Sequence, residues 1–145
     1  MARTASDIVI EATPAAVMAV IADFESYPQW ATGMRDVRVV DPGENGRPRQ
    51  VCFELDAAPI RDTYELVYTW DGDRSVSWEL AEQATVLTAM DGTYRLDPVE
   101  GGTQVTYQLA VDVAVPLLGM LKRKAEKVII ETALNGLKRR VESLG

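Results

Sequence analysis

The pattern that decides the fold is clearest in residues 62–70, whose sequence is DTYELVYTW. Every second residue from Tyr64 to Trp70 is apolar, which is the two-residue period of a half-buried strand. The same alternation predicts further strands at 37–40, 50–57, 75–80, 86–96 and 103–115, with turn sequences rich in Gly, Pro and Asp between most of them. Since one phase is apolar and the other largely polar, we expect an antiparallel sheet with one wet face and one covered face.

The chain ahead of this meander predicts a strand followed by two short helices. Residues 7–11 contain the β-branched run Ile8, Val9 and Ile10 and are predicted to form the first strand. Thr13 followed by Pro14 is typical of a helix start, because the threonine can cap the helix and proline fits its first position. Pro28 disfavours helical backbone at Tyr27, which predicts that the first helix ends there and that a second short turn covers residues 30–34.

Helical spacing returns after Pro116 and predicts one long helix that runs to about Ser143, with Gly119 and Gly136 as weak points. Its apolar stripe consists of Leu118, Leu121, Ala125, Val128, Ile129, Thr132, Ala133, Gly136, Leu137, Val141 and Leu144. The fold class is therefore α+β: a curved antiparallel sheet of about seven strands around a long C-terminal helix, with two short helices between the first two strands. We expect a single domain spanning residues 1–145.

Composition excludes several classes of protein. Hydrophobic residues make up 47% of the 145 residues, which is too many for a disordered chain. A net charge of −7 disfavours nucleic acid as a partner. The basic residues of the last helix, including Arg139 and Arg140, are interpreted as its solvated face or as favourable charge near its C-terminus. The sequence predicts neither a signal peptide nor stable membrane insertion, and with the lone Cys52 we expect a cytoplasmic protein.

The side chains needed for several kinds of catalysis are missing. The chain has no His and one Cys, which excludes a histidine-activated nucleophile, His-ligated metal sites and a cysteine-rich zinc site. No nucleotide-binding loop is present, so no metal or cofactor is predicted. Asp62 is a weak catalytic candidate because it shares the apolar phase with Tyr64. The alternative is a strand-end carboxylate that pairs with Arg61 or another cation.

A set of aromatic residues on the predicted strands and at the helix junction has two interpretations. The residues are Trp30, Phe53, Tyr64, Tyr68, Trp78, Tyr94 and Tyr107. One interpretation is packing between sheet and helix, which is favoured at any single position. The other is a cavity lining whose tyrosine hydroxyls orient an otherwise apolar ligand.

The order strand, helix pair, meander and long helix closely resembles the START-like, polyketide cyclase/dehydrase and coenzyme Q-binding superfamily, which has the helix-grip fold. The segments that are similar to the family are residues 8–17, 23–30, 101–107 and 137–142, and the resemblance spans the whole chain. It implies a cavity between the sheet and the last helix for lipids, sterols, quinones or polyketides, with residues 27–34 at the entrance. The remaining expected lining residues are Met34, Leu121, Ala125 and Ile129.

Three functions follow as hypotheses. The first is binding or transport of a hydrophobic small molecule without catalysis. The second is a polyketide aromatase/cyclase or dehydratase in which Asp62, Tyr64 or Tyr107 moves protons. The third is a protein-interaction module. The sequence defines neither the ligand nor the oligomeric state.

Overall fold

The computed structural model describes residues 4–57, 60–114 and 119–144, without the side chains of 57, 60 and 119–122. The strands are β1 (Thr4–Ile10), β2 (Met34–Asp41), β3 (Gln50–Ala57), β4 (Ile60–Asp71), β5 (Ser75–Leu80), β6 (Leu87–Val99) and β7 (Gly102–Val113). The helices are α1 (Pro14–Ala22), α2 (Tyr27–Trp30) and α3 (Gly119–Leu144), and a 3₁₀ turn covers Phe24–Ser26.

The seven strands form one antiparallel sheet in the order β1-β7-β6-β5-β4-β3-β2. This confirms the predicted meander and helix-grip architecture. The predicted bounds of β3 and β5 are correct, whereas β2, β4 and β6 are longer than predicted. Strand β1 begins at Thr4 and ends at Ile10 in place of 7–11, and β7 covers Gly102–Val113 in place of 103–115. The differences occur mostly in turn sequences, where strand pairing continues although the alternation has stopped.

The helix start predicted at Thr13 is confirmed, because the Thr13 hydroxyl accepts a hydrogen bond from the Ala16 N–H at 3.2 Å. The position predicted for the second helix is wrong: it covers Tyr27–Trp30, not 30–34, and Tyr27 has helical angles of φ −54° and ψ −40°. Proline is accommodated in the first turn, where a missing N–H costs no hydrogen bond. Tyr27 is buried and its hydroxyl donates to the Ile21 carbonyl at 2.5 Å, which offsets the crowding from the following proline.

Helix α3 packs against β1 and β7 and is fixed there by a buried carboxylate. Glu126 is 2% exposed; one oxygen accepts from the Val111 N–H at 2.7 Å and the other from the Thr4 hydroxyl at 2.6 Å. These bonds tie α3 to β7 and β1. The described helix begins at Gly119, and the start predicted at Pro116 lies outside the described residues.

Packing differs between the two ends of the concave face. Helix α1 contacts α3, β6 and β7, and its buried residues Val17, Met18 and Ile21 fill that end. The core is therefore filled near α1, whereas residues of β3 to β7 and of the middle of α3 line an open space.

Candidate ligand-binding cavity

A cavity of about 320 Å³ lies between the sheet, helix α2 with the segment after it, and the middle of α3. This volume falls at the lower end of the range for small-molecule pockets, about 300–1,000 Å³. Most of its wall is aromatic or aliphatic: Tyr27, Trp30, Ala31, Met34, Phe53, Leu55, Tyr64, Leu66, Tyr68, Trp78, Met90, Tyr94, Tyr107, Val128, Ile129 and Ala133. The polar lining residues are Thr32, Asp56 and Thr132, and Gly33 completes the wall.

The structure brings most of the predicted lining residues together around this one space. They are Trp30, Met34, Phe53, Tyr64, Tyr68, Trp78, Tyr94, Tyr107 and Ile129. Ala125 is buried on α3 but is not part of the wall, because it packs in the core one turn before Ile129. Leu121 lies outside the residues whose side chains are described.

Strand register explains why the aromatic residues meet. Three cross-strand pairs face the cavity, and they are Phe53 with Tyr64, Tyr68 with Trp78, and Tyr94 with Tyr107. The rings of Tyr94 and Tyr107 lie 4.6 Å apart between centroids, and the rings of Trp78 and Tyr107 lie 5.4 Å apart with their planes at 89°. Such tilted and edge contacts are favourable, so the rings stabilise one another around the open space.

All five tyrosines of the chain line the cavity, and their hydroxyl groups differ in hydrogen bonding. The Tyr27 hydroxyl donates to a backbone carbonyl. Within the described parts of the chain, the other four hydroxyls have no hydrogen-bond partner, and they belong to Tyr64, Tyr68, Tyr94 and Tyr107. Their oxygens are not among the fully buried atoms without a partner, so they face the open space of the cavity. These four groups can therefore hydrogen-bond to a ligand or to water inside the cavity.

The tyrosines are neutral at physiological pH. Burial is the largest cause and raises the pKa of Tyr64, Tyr94 and Tyr107 well above the ordinary value for a phenol. The closeness of Tyr107 raises the pKa of Tyr64 and Tyr94 further, because two phenolates near each other repel. Burial also raises the pKa of Tyr27 and Tyr68, followed by repulsion from nearby groups, which is largest from Tyr107 for Tyr27 and from Tyr27 for Tyr68. The hydroxyls can therefore donate hydrogen bonds but are poor proton acceptors.

Asp62 lies on the inner face of β4, as its phase predicts, but its carboxylate is engaged elsewhere. One oxygen accepts from the N–H groups of Val86 and Leu87, both at 2.8 Å, and the other accepts from the Thr63 N–H at 2.9 Å. Asp62 is not part of the cavity wall, and Arg61 pairs with Asp56 instead, at 2.7 Å. The geometry favours the structural alternative, in which Asp62 fixes the start of β6 beside β4.

The opening of the cavity lies between α3 and the segment after α2. Val128 is 44% exposed and Thr32 is exposed, although both line the cavity. Asp56, the one carboxylate in the described wall, pairs with Arg61 and lies 3.4 Å from the Arg35 guanidinium. This charge is neutralised by its neighbours and leaves the wall mainly apolar.

Several lining residues were not among the predicted site residues. Leu55, Leu66 and Met90 have the same phase as the predicted aromatic residues, so the signal was present. The sequence did not predict that Tyr27 lines the cavity. Its inward orientation depends on helix α2, and Pro28 argued against helical backbone at Tyr27.

Comparisons with known proteins agree with this architecture. Residues 1–142 match the family model described as polyketide cyclase / dehydrase and lipid transport. A START superfamily protein from Mycobacterium smegmatis has a similar structure at a TM-score of 0.90 and 20% identity, with 99% of each chain covered. The Zhui aromatase/cyclase from a Streptomyces strain is similar at a TM-score of 0.75 and 17% identity, covering 97% of this chain and 93% of that one. No curated protein matches the sequence.

The chain therefore belongs to the polyketide cyclase / dehydrase and lipid transport family, as the resemblance implied. The family supports hydrophobic ligand binding or polyketide cyclisation in general terms, and at these identities the solved structures support the fold alone. Among the described residues, no helix is long and apolar enough to cross a membrane, and no group of three or more potential metal ligands occurs.

Proposed function

We propose that this protein binds a ring-shaped, largely apolar small molecule that carries oxygen acceptors, and that it acts as a carrier. The observation that supports this most is the convergence of the chain's tyrosines on one apolar cavity, with four hydroxyls that lack partners in the described protein. A purely hydrocarbon ligand would leave these hydroxyls desolvated, at a cost of about 1–3 kcal/mol for each buried group. Carbonyl or hydroxyl oxygens on the ligand would satisfy them.

Catalysis of a cyclisation is the rival function, and the described wall offers little for it. Proton abstraction needs a base near the substrate. Asp56 is paired with arginine, Asp62 accepts three backbone hydrogen bonds, and the tyrosines resist ionisation. A cyclase built on this wall would act by orienting a reactive chain, so the two functions differ in product formation and not in binding. An interaction module has no need of the cavity.

The carrier function can be tested with the uncharged fluorescent dye phenylnaphthylamine, followed by competition with fluorene and fluorenone. These two competitors have the same rings, and fluorenone adds one carbonyl oxygen. We expect fluorenone to bind about 2- to 12-fold more tightly than fluorene, as one hydrogen bond contributes about 0.5–1.5 kcal/mol. Trp78→Ala should weaken dye binding about tenfold, because it removes roughly 50 Å² of contact at about 25 cal/mol per Å².

The matched variants are Tyr107→Phe and Tyr27→Phe, which each remove one hydroxyl from the same wall. Tyr107→Phe should reduce the preference for fluorenone, whereas Tyr27→Phe should not, since the Tyr27 hydroxyl already bonds to Ile21. A dye that fails to bind, or an affinity that Trp78→Ala leaves unchanged, would contradict the proposal. Native mass spectrometry of protein from its own host would identify a bound molecule, and turnover of a linear poly-keto substrate would favour the cyclase instead.

A further inference from the structure

A second pocket of about 500 Å³ lies beside the tyrosine cavity. The two pockets share the segment from Trp30 to Met34 as a common wall. Thr32 is exposed and lines both, so the second pocket opens next to the mouth of the first. Its other wall is the C-terminal half of α3. We call this space the outer pocket.

The outer pocket is positively charged in an acidic protein. Arg139, Arg140 and Ser143 lie on one face of α3 and line it together with Gln29. None of its lining residues is an aspartate or glutamate, whereas the whole chain carries a net charge of −7. Within the part of the chain that the structure describes, neither arginine has an ion-pair partner, although other arginines such as Arg35, Arg47 and Arg61 do.

Uncharged polar side chains line the outer pocket together with the two arginines. Thr32 and Gln29 add a hydroxyl and an amide to the wall, whereas the Ser143 hydroxyl donates to the Arg140 carbonyl oxygen at 2.7 Å. Hydroxyl and amide donors in a pocket lined by two arginines match a carboxylate or a phosphate, which accept several hydrogen bonds at once.

We infer that the outer pocket is an anion-binding subsite, and that the ligand is amphipathic, with rings in the tyrosine cavity and a carboxylate or phosphate group against Arg139 and Arg140. This inference rests on the proposed function, because the apolar part of the ligand occupies the cavity described there. The anionic group remains near the opening, where it stays partly hydrated. Binding then requires no burial of a full charge.

A purely structural role for the two arginines is the alternative. Basic residues near a helix C-terminus favour the helix dipole, but this effect is confined to the last turn, and that turn of α3 has no basic residue. Arg139 and Arg140 instead lie beside α2 and the segment after it. A structural role predicts a loss of stability on substitution, whereas an anion subsite predicts a change in ligand preference.

The test compares naphthol, naphthoate and naphthyl phosphate as competitors of phenylnaphthylamine at neutral pH. The three share one ring system and differ in the charged group. We expect naphthoate or naphthyl phosphate to bind about 5- to 30-fold more tightly than naphthol, from two partly exposed charge-assisted contacts. A larger advantage for naphthoate identifies a carboxylate ligand, and one for naphthyl phosphate identifies a phosphate ligand. The double variant Arg139→Gln/Arg140→Gln should lose this advantage and bind naphthol as before.

Arg38→Gln/Arg49→Gln is the matched control, since both residues are exposed and neither lines the outer pocket. It removes the same charge and should leave the preference unchanged, while Arg139→Lys/Arg140→Lys should retain part of it. If the first double variant does not fold, the advantage in the wild-type protein should still shrink as salt rises from about 0.05 to 0.5 M. If the wild type shows no preference for the anionic competitors over naphthol, or if the Gln variant keeps that preference, the anion subsite is refuted while the proposed function stands. Failure of the dye itself to bind overturns the proposed function as well.

Discussion

Replacing Gly92 by alanine inserts a methyl group beneath the indole ring of Trp78. The two residues are directly opposite each other on β6 and β5, and both are buried on the inner face. A Cβ on Gly92 would lie 2.5 Å from Trp78 Cε2 and 2.8 Å from Nε1, whereas apolar atoms pack at about 3.5–4.0 Å. The indole must therefore move by about 1 Å, away from the sheet and into the cavity.

The magnitude follows from two opposing effects. Overpacking of this size costs about 1–3 kcal/mol. Replacing a glycine inside a strand by alanine stabilises the protein by about 0.5–1 kcal/mol, because the unfolded chain loses conformational freedom. We expect Gly92→Ala to lower the free energy of unfolding by about 1–2 kcal/mol, which shifts the urea midpoint by about 0.5–1 M at a slope of about 2 kcal/mol per M. The affinity for phenylnaphthylamine should fall about 3- to 10-fold, because the displaced ring occupies ligand space.

A double-mutant cycle separates the clash from other causes. In the Trp78→Phe background the smaller ring leaves room for the methyl group, so Gly92→Ala should become neutral or stabilising by about 0.5 kcal/mol. Urea denaturation of the wild type, both single variants and the double variant gives the coupling energy. An equal cost of Gly92→Ala in the two backgrounds would refute the argument that Trp78 is the obstacle.

Three further predictions concern groups in and around the cavity. Asp62→Asn should lower the free energy of unfolding by about 1–2 kcal/mol in urea, through weaker bonds to the N–H groups of Val86 and Leu87, and should change dye affinity less than about twofold. Glu126→Gln should cost about 1–3 kcal/mol, since an amide offers the Val111 N–H and Thr4 hydroxyl one accepting oxygen in place of two; an unchanged urea midpoint would contradict this. The raised pKa values of the five tyrosines mean that the unfolded chain loses phenol protons first above about pH 10, so stability falls with rising pH by about 1.4 kcal/mol per tyrosine and pH unit. In an alkaline titration, phenolate absorbance and loss of circular dichroism should therefore appear in one step. Phenolate absorbance from a still folded protein near pH 10 would contradict this prediction.

The sequence was sufficient for the sheet and for much of the cavity wall. Phe53, Tyr64 and Tyr107 are assigned to the inner face by alternation alone, since the period of a strand determines which face a side chain occupies. The position of α2 could not be predicted in the same way. The crowding rule for a residue before proline was outweighed by burial of Tyr27 and by its hydrogen bond to Ile21, and both depend on the folded core.

Electrostatic roles were the least predictable from sequence. The phase of Asp62 was correct, but its hydrogen bonds to Val86 and Leu87 exist because the start of β6 lies beside β4 in space. Arg139 and Arg140 follow ordinary helical spacing, and nothing local indicates that α2 lies across from them. A pocket between distant segments of the chain requires the tertiary structure.

Two glycines connect the fold to the shapes of both pockets. Gly92 lets the Trp78 indole lie close to the sheet, which leaves the space above it open. Gly136 on α3 allows the Trp30 backbone to approach, because a Cβ there would lie 2.7 Å from the Trp30 carbonyl oxygen and 3.2 Å from its ring. That approach positions the wall that the tyrosine cavity and the outer pocket share. A glycine inside a helix is about 1 kcal/mol less favourable than alanine. Gly136 therefore destabilises the isolated helix, but the close contact with α2 requires a residue without a side chain at this position. Gly136, an apparent weak point of α3 in the sequence, is therefore the position at which the helix contacts the wall between the two pockets.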